Sequence, residues 1–111
     1  MYIVPERAIA DLMTRKAAFD AVEQVFAAMA AGDAYNFPVV REAIGHEDAL
    51  YGFKGGFDRA GLTLGLKAGG YWPNNLEKRG LTNHQSTVFL FDPDTGKVRA
   101  CLLYTSDAAD E

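Results

Sequence analysis

Gly65-Leu66-Lys67-Ala68-Gly69-Gly70-Tyr71-Trp72-Pro73-Asn74-Asn75 continues the apolar run Leu62-Thr63-Leu64-Gly65-Leu66 into one lysine and a pair of glycines. Lysine is costly to bury because its ammonium loses hydration, so it needs a partner or a path to water. Gly69 and Gly70 have no Cβ, which lets the backbone bend sharply and lets a ligand approach closely. Tyr71, Trp72 and Pro73 add a stiff, flat wall. Two readings follow from the residue types. One is a strand end whose lysine reaches into water. The other is a glycine-rich turn that presents a cation, bare backbone and aromatic surface to a small anionic organic molecule.

Outward from this stretch, Gly61 to Ala68 reads as the strand that carries Lys67. Upstream, Ala49 to Lys54 reads as a strand and Gly55 to Arg59 as a loop. Downstream, Leu76 to Leu81 is a charged connection. Ser86-Thr87-Val88-Phe89-Leu90-Phe91 is rich in β-branched and aromatic residues and reads as a strand. Asp92-Pro93-Asp94-Thr95-Gly96 is a hairpin turn, and Lys97 to Ala100 begins the return strand.

The N-terminal third is helical in pattern. Tyr2-Ile3-Val4 is a short β-like start, and Pro5 to Leu12 a brief helix with proline near its first turn. Thr14 is positioned to cap a second helix from about Arg15 to Ala31, with Gly32 as its left-handed terminator. Phe19, Val22, Phe26 and Met29 recur at three- and four-residue spacing, which predicts a stripe packed in the core. Asn36 to Arg41 is extended because Pro38 disfavours helix at Phe37, and Glu42 to Asp48 is polar and turn-like. Arg41 reads either as a surface charge or as a bidentate clamp for a carboxylate. The fold expected is α/β of the α+β type, a small mixed sheet packed on an N-terminal helix.

Composition limits the function. The chain has 111 residues, 49% hydrophobic and 12% aromatic, enough for one modest core. Its formal charge of −4 gives no reason to expect nucleic acid or an acidic membrane as partner. No apolar run approaches a membrane span, and Met1 to Arg7 lacks the pattern of a signal peptide, so cytoplasm is expected. Cys101, the one cysteine, has no partner for an internal disulfide. His46 and His84 lack ligand spacing, so no metal is expected. There is no P-loop, and no Gly-x-Gly-x-x-Gly that would cradle a dinucleotide.

Residues 101–111, Cys-Leu-Leu-Tyr-Thr-Ser-Asp-Ala-Ala-Asp-Glu, resemble a translated sequencing-library adapter. The natural domain is therefore expected to be residues 1–100, a truncated substrate-binding domain, with 101–111 an appended tail. Three of the 15 acids lie in that tail, which leaves 12 against 11 basic residues.

Residues 1–100 resemble the N-terminal substrate domain of the ornithine cyclodeaminase and μ-crystallin family. Leu64 to Asn75, Gly80 to Val88 and Phe89 to Gly96 carry the resemblance, with the helix ending at Gly32 and the Pro38 to Arg41 segment in matching places. The resemblance implies a homodimeric enzyme that uses NAD or NADP and acts on an amino acid or cyclic imine. Cyclisation of ornithine to proline with loss of ammonia is the main activity implied. Ketimine reduction, amino-acid dehydrogenation and non-catalytic small-molecule binding are the alternatives within the family. By position, Lys67 matches the family's catalytic, substrate-binding lysine and Arg41 an arginine that holds the substrate carboxylate. His84, Gln85 and Thr87 match the substrate-side strand. The family's nucleotide-binding half has no counterpart among residues 1–100, so the chain by itself is expected to bind no NAD(P) and to be inactive. Loss of Lys67 is expected to abolish turnover in the whole protein, and loss of Lys54 to be much milder.

Overall fold

A computed structural model describes residues 1–104; residues 105–111, most of the adapter-like tail, lie outside the described residues. After the short strand β1 (Tyr2–Val4) come helices α1 (Glu6–Leu12) and α2 (Arg15–Ala30). Pro5 occupies the N-cap position of α1, where its missing N–H costs nothing. Met13 is extended, which separates the two helices. The Thr14 hydroxyl accepts the Ala17 N–H at 3.0 Å and so caps α2, as its sequence position predicts. At the other end Gly32 takes φ +80°. The Asp33 N–H reaches the Ala28 carbonyl at 2.8 Å and the Gly32 N–H that of Met29 at 3.1 Å, a Schellman closure.

Strands β2 (Ala34–Asn36), β3 (Val40–Ala43), β4 (Leu50–Asp58), β5 (Thr63–Tyr71), β6 (His84–Phe91) and β7 (Val98–Tyr104) follow, with α3 (Asn75–Arg79) between β5 and β6. The sheet runs β1-β7-β6-β5-β4-β2, and β3 also pairs with β4. Only β1 and β7 are parallel among the described strands, so the sheet is mixed, as expected. β2 and β3 share one edge of β4, β2 on Gly56–Asp58 and β3 on Leu50–Phe53. Pro38 sits in the gap between them, where no ladder donor is required.

Three expected boundaries change. Gly55-Gly56-Phe57, read as loop, continues β4, because both glycines pair with β5 and the turn falls at 59–62. Gly69 and Gly70 do not turn: β5 passes straight through them to Tyr71. Their missing Cβ serves close strand packing instead, since a Cβ on Gly69 would lie 2.8 Å from Ser86 Cα. Leu76 to Arg79, read as a connection, forms most of α3, which Gly80 ends at φ +68°. The return strand β7 extends through Cys101 and Leu102, which pair with Phe89 and Val88 on one side and Ile3 and Val4 on the other. Ladder bonds use backbone groups, so the apolar start of the tail fits the sheet.

The α2 stripe departs furthest from expectation. Phe19 is 67% exposed, Phe26 64% and Val22 50%. Helix α2 touches the sheet chiefly at the short edge strand β2, so most of its apolar face is uncovered. Periodicity records that one face prefers burial, not what covers it. Among the described residues only Ala34, Ala49 and Asn75 are buried. Phe19→Gln and Phe26→Gln are therefore expected to change unfolding free energy by about 0.5 kcal/mol or less each. Urea denaturation checks this: a loss of several kcal/mol, usual for a core phenylalanine, would show the face to be covered.

Candidate functional site

Strand register sorts the side chains onto two faces, because neighbours directly across a ladder point the same way and successive residues alternate. On one face, three rows cross the sheet. Leu50, Tyr71 and His84 form the first. Arg41, Gly52, Gly69 and Ser86 form the second. Lys54, Lys67 and Val88 form the third. Rows two residues apart lie about 7 Å from each other.

All of these residues except Val88 line a cleft of about 130 Å³, walled also by Val39 and Val40. Arg41 shares its row with Gly52, Gly69 and Ser86. Tyr71 and His84 close one end with their ring centroids 4.8 Å apart. Lys54 and Lys67 are directly opposite each other on β4 and β5. Like charges in that relation repel. Arg41, Lys54 and Lys67 all line the cleft, and its described lining residues include no aspartate or glutamate.

Of the expected site residues, the structure brings Arg41, Lys67 and His84 together and sends Gln85 and Thr87 elsewhere. Gln85 pairs with Gly70 and Thr87 with Ala68, so both belong to the opposite face. The Gln85 amide donates to the Thr82 carbonyl at 3.0 Å and to its hydroxyl at 3.1 Å, which holds it to the preceding turn. The cause is the two-residue period of a strand, which makes consecutive residues of one motif face apart. That opposite face is aromatic, with Tyr51 5.7 Å from Phe53 and 6.1 Å from Trp72 by ring centroids.

Sequence reasoning missed Lys54 and Ser86 as cleft residues, whereas Tyr71, read as part of an aromatic wall, does line it. A signal for Lys54 was present. Lys54 stands four residues before Asp58 and Lys67 four after Thr63, and Asp58 pairs with Thr63 at the mouth of the hairpin. Equal distance from one turn places the two lysines opposite each other. Reading Gly55 to Arg59 as loop hid that relation.

Among the described residues no Gly-x-Gly-x-x-Gly occurs, and β5 makes no turn at Gly69 and Gly70. Among the described residues, no group of three or more His, Cys, Asp or Glu side chains could hold a metal ion. No described helix is long and apolar enough to cross a membrane.

No family model matches the chain. It is 72% identical over 102 residues to the iminosuccinate reductase of Paracoccus denitrificans (strain Pd 1222), covering 92% of this chain and 32% of the relative. The crystal structure of that reductase with NAD+ superposes with a TM-score of 0.89 over 93% of this chain and 32% of the other. The Thermococcus litoralis Δ1-pyrroline-2-carboxylate reductase, solved with NADH and L-proline, gives 0.87 at 20% identity over 93% and 32% of the two chains. A probable ornithine cyclodeaminase from Bordetella pertussis Tohama I gives 0.77 at 19% identity over 93% and 30%. At such identities these last two show the fold alone. The chain spans about a third of the length of the proteins it matches. In fold the chain corresponds to about a third of each of these proteins, and along nearly its whole length it is similar in sequence to the iminosuccinate reductase.

Proposed function

We propose that this chain is the substrate-binding domain of a nicotinamide-dependent reductase whose substrate is a small, anionic α-imino acid such as iminosuccinate. The observation that carries the reading is the gathering of three cationic side chains, Arg41, Lys54 and Lys67, among the described lining residues of one cleft. The 72% identity to an iminosuccinate reductase supports it. The ornithine reading gives way to the reductase alternative. Ornithine carries a second ammonium on its side chain, and a cleft walled by Arg41, Lys54 and Lys67 repels it.

In this reading Arg41 holds the α-carboxylate with its planar fork. Lys67 stands beside the imine carbon and nitrogen as the catalytic cation, and Tyr71 and His84 limit the cleft at one end. The nicotinamide supplies hydride when bound, from residues other than those described. This chain's own contribution is to bind, orient and charge-stabilise the substrate.

The test is turnover by the full-length protein. Oxaloacetate with ammonium, which generate iminosuccinate, should support oxidation of NADH or NADPH. Ornithine with the oxidised cofactor should release no ammonia. Proline formation from ornithine without imine reduction would overturn the assignment.

A further inference from the structure

Of the three rows on the cleft face, the functional reading assigns a task to two. Arg41 lies in the middle row and Lys67 in the row on one side of it. Leu50, Tyr71 and His84 form the row on the other side, because position 52 falls between 50 and 54 on β4 and position 69 between 67 and 71 on β5. All three of these residues line the cleft. The imine carbon of an imino acid bears a carboxylate, a nitrogen and a chain. With the carboxylate on Arg41 and the imine at Lys67, the chain is left to run toward Tyr71 and His84.

That end of the cleft is closed and firmly held. The two rings touch, with centroids 4.8 Å apart and planes inclined at 52°, so each hinders the other from swinging aside. Both residues are half-buried. Just past them β5 and β6 leave the ladder, and the connection is tied back on itself. The Trp72 N–H donates to the Asn83 carbonyl at 2.8 Å, and the Leu76 N–H to Asn83 Oδ1 at 3.0 Å. The buried Asn75 amide donates to the Thr82 carbonyl at 3.2 Å, and the Thr82 hydroxyl to the His84 carbonyl at 3.0 Å. A backbone held by this many bonds resists local opening, so rings mounted on it make a fixed wall.

We propose that the ring pair of Tyr71 and His84 is the specificity-determining stop of the cleft, which admits a four-carbon dicarboxylic imino acid and rejects its five-carbon homologue. The proposal rests on the reductase reading and names its substrate class by length. Rejection is steric: an extra methylene drives the chain against the two rings or lifts the imine away from Lys67. One methylene in such a contact is worth about 10- to 200-fold in kcat/KM.

The experiment measures kcat/KM of the full-length protein for oxaloacetate plus ammonium and for 2-oxoglutarate plus ammonium. The wild type should favour the four-carbon substrate by at least about tenfold. His84→Ala and Tyr71→Ala should each raise the five-carbon to four-carbon ratio by about tenfold or more. His84→Phe and Tyr71→Phe, which keep a ring in place, should retain the preference, and its loss in them would show recognition by the polar tips and overturn the steric stop. An unchanged ratio in both alanine variants, or a wild type equally active on both imines, would overturn the stop and leave the reductase reading standing. A wild type that reduces neither imine would overturn both. Equal losses on the two substrates with a lowered thermal midpoint would mark a structural role for the rings and also overturn the assignment.

Discussion

Lys67→Ala in the full-length protein is expected to lower kcat/KM for the imine by at least about a hundredfold, the usual scale for a positioned proton-handling or charged group. Lys67 sits at the centre of β5, flanked by β4 and β6, so its backbone is held on both sides. Its side chain is half-buried, unlike that of Lys54. Lys67→Arg should restore little, because a guanidinium is larger, cannot give up its proton and presents a fork instead of a point charge. The loss should appear mainly in kcat. Retention of most activity by Lys67→Ala would show that the catalytic cation lies elsewhere.

Gly69→Ala should destabilise the sheet by up to about 3 kcal/mol. A Cβ at Gly69 meets both Ser86 Cα and Ser86 Cβ at 2.8 Å and comes closer still to the Gln85 carbonyl. These neighbours are backbone or bound directly to it, so β6 itself must move. Gly65 in the same strand provides the control. There a Cβ meets only the Leu90 Cδ2 at 3.3 Å and the Phe89 carbonyl at 3.5 Å, and a leucine tip can rotate away. Gly65→Ala should therefore cost under about 1 kcal/mol. For a domain of this size each kcal/mol moves the midpoint by about 4 °C or more. Thermal unfolding of the two variants distinguishes them, and equal midpoints would sink the argument. The Gly69 methyl would also enter the cleft between Arg41 and Ser86, so binding should weaken along with stability.

Local elements were legible where one short stretch contains the whole cause. Thr14 and Gly32 mark the two ends of α2 because a cap depends on residues within one turn. The turn at Asp92 to Gly96 was legible for the same reason: the Asp92 N–H bonds to the Lys97 carbonyl at 2.8 Å and Gly96 takes φ +77°. Lys67 and Arg41 were singled out through a family resemblance, and the structure places both along one cleft. Gln85 and Thr87 were grouped with His84 because they share its strand, but odd spacings along a strand put residues on opposite faces.

The sequence by itself determined helices α1 and α2, the two ends of α2, the final hairpin, the cationic character of the Lys67 region and the absence of a dinucleotide motif. Each of these depends on residue type within a few positions. Tertiary structure alone decided that Gly69 and Gly70 extend a strand instead of turning it, that the α2 stripe is largely uncovered, and that Lys54 joins Lys67 in one cleft. Those outcomes depend on which strands become neighbours and in what register. Register is set by where a turn closes and by competition for sheet edges, and a shift of a single residue moves a side chain to the other face. The charge of each lysine was written in the chain, but their meeting was decided by the ladder between β4 and β5.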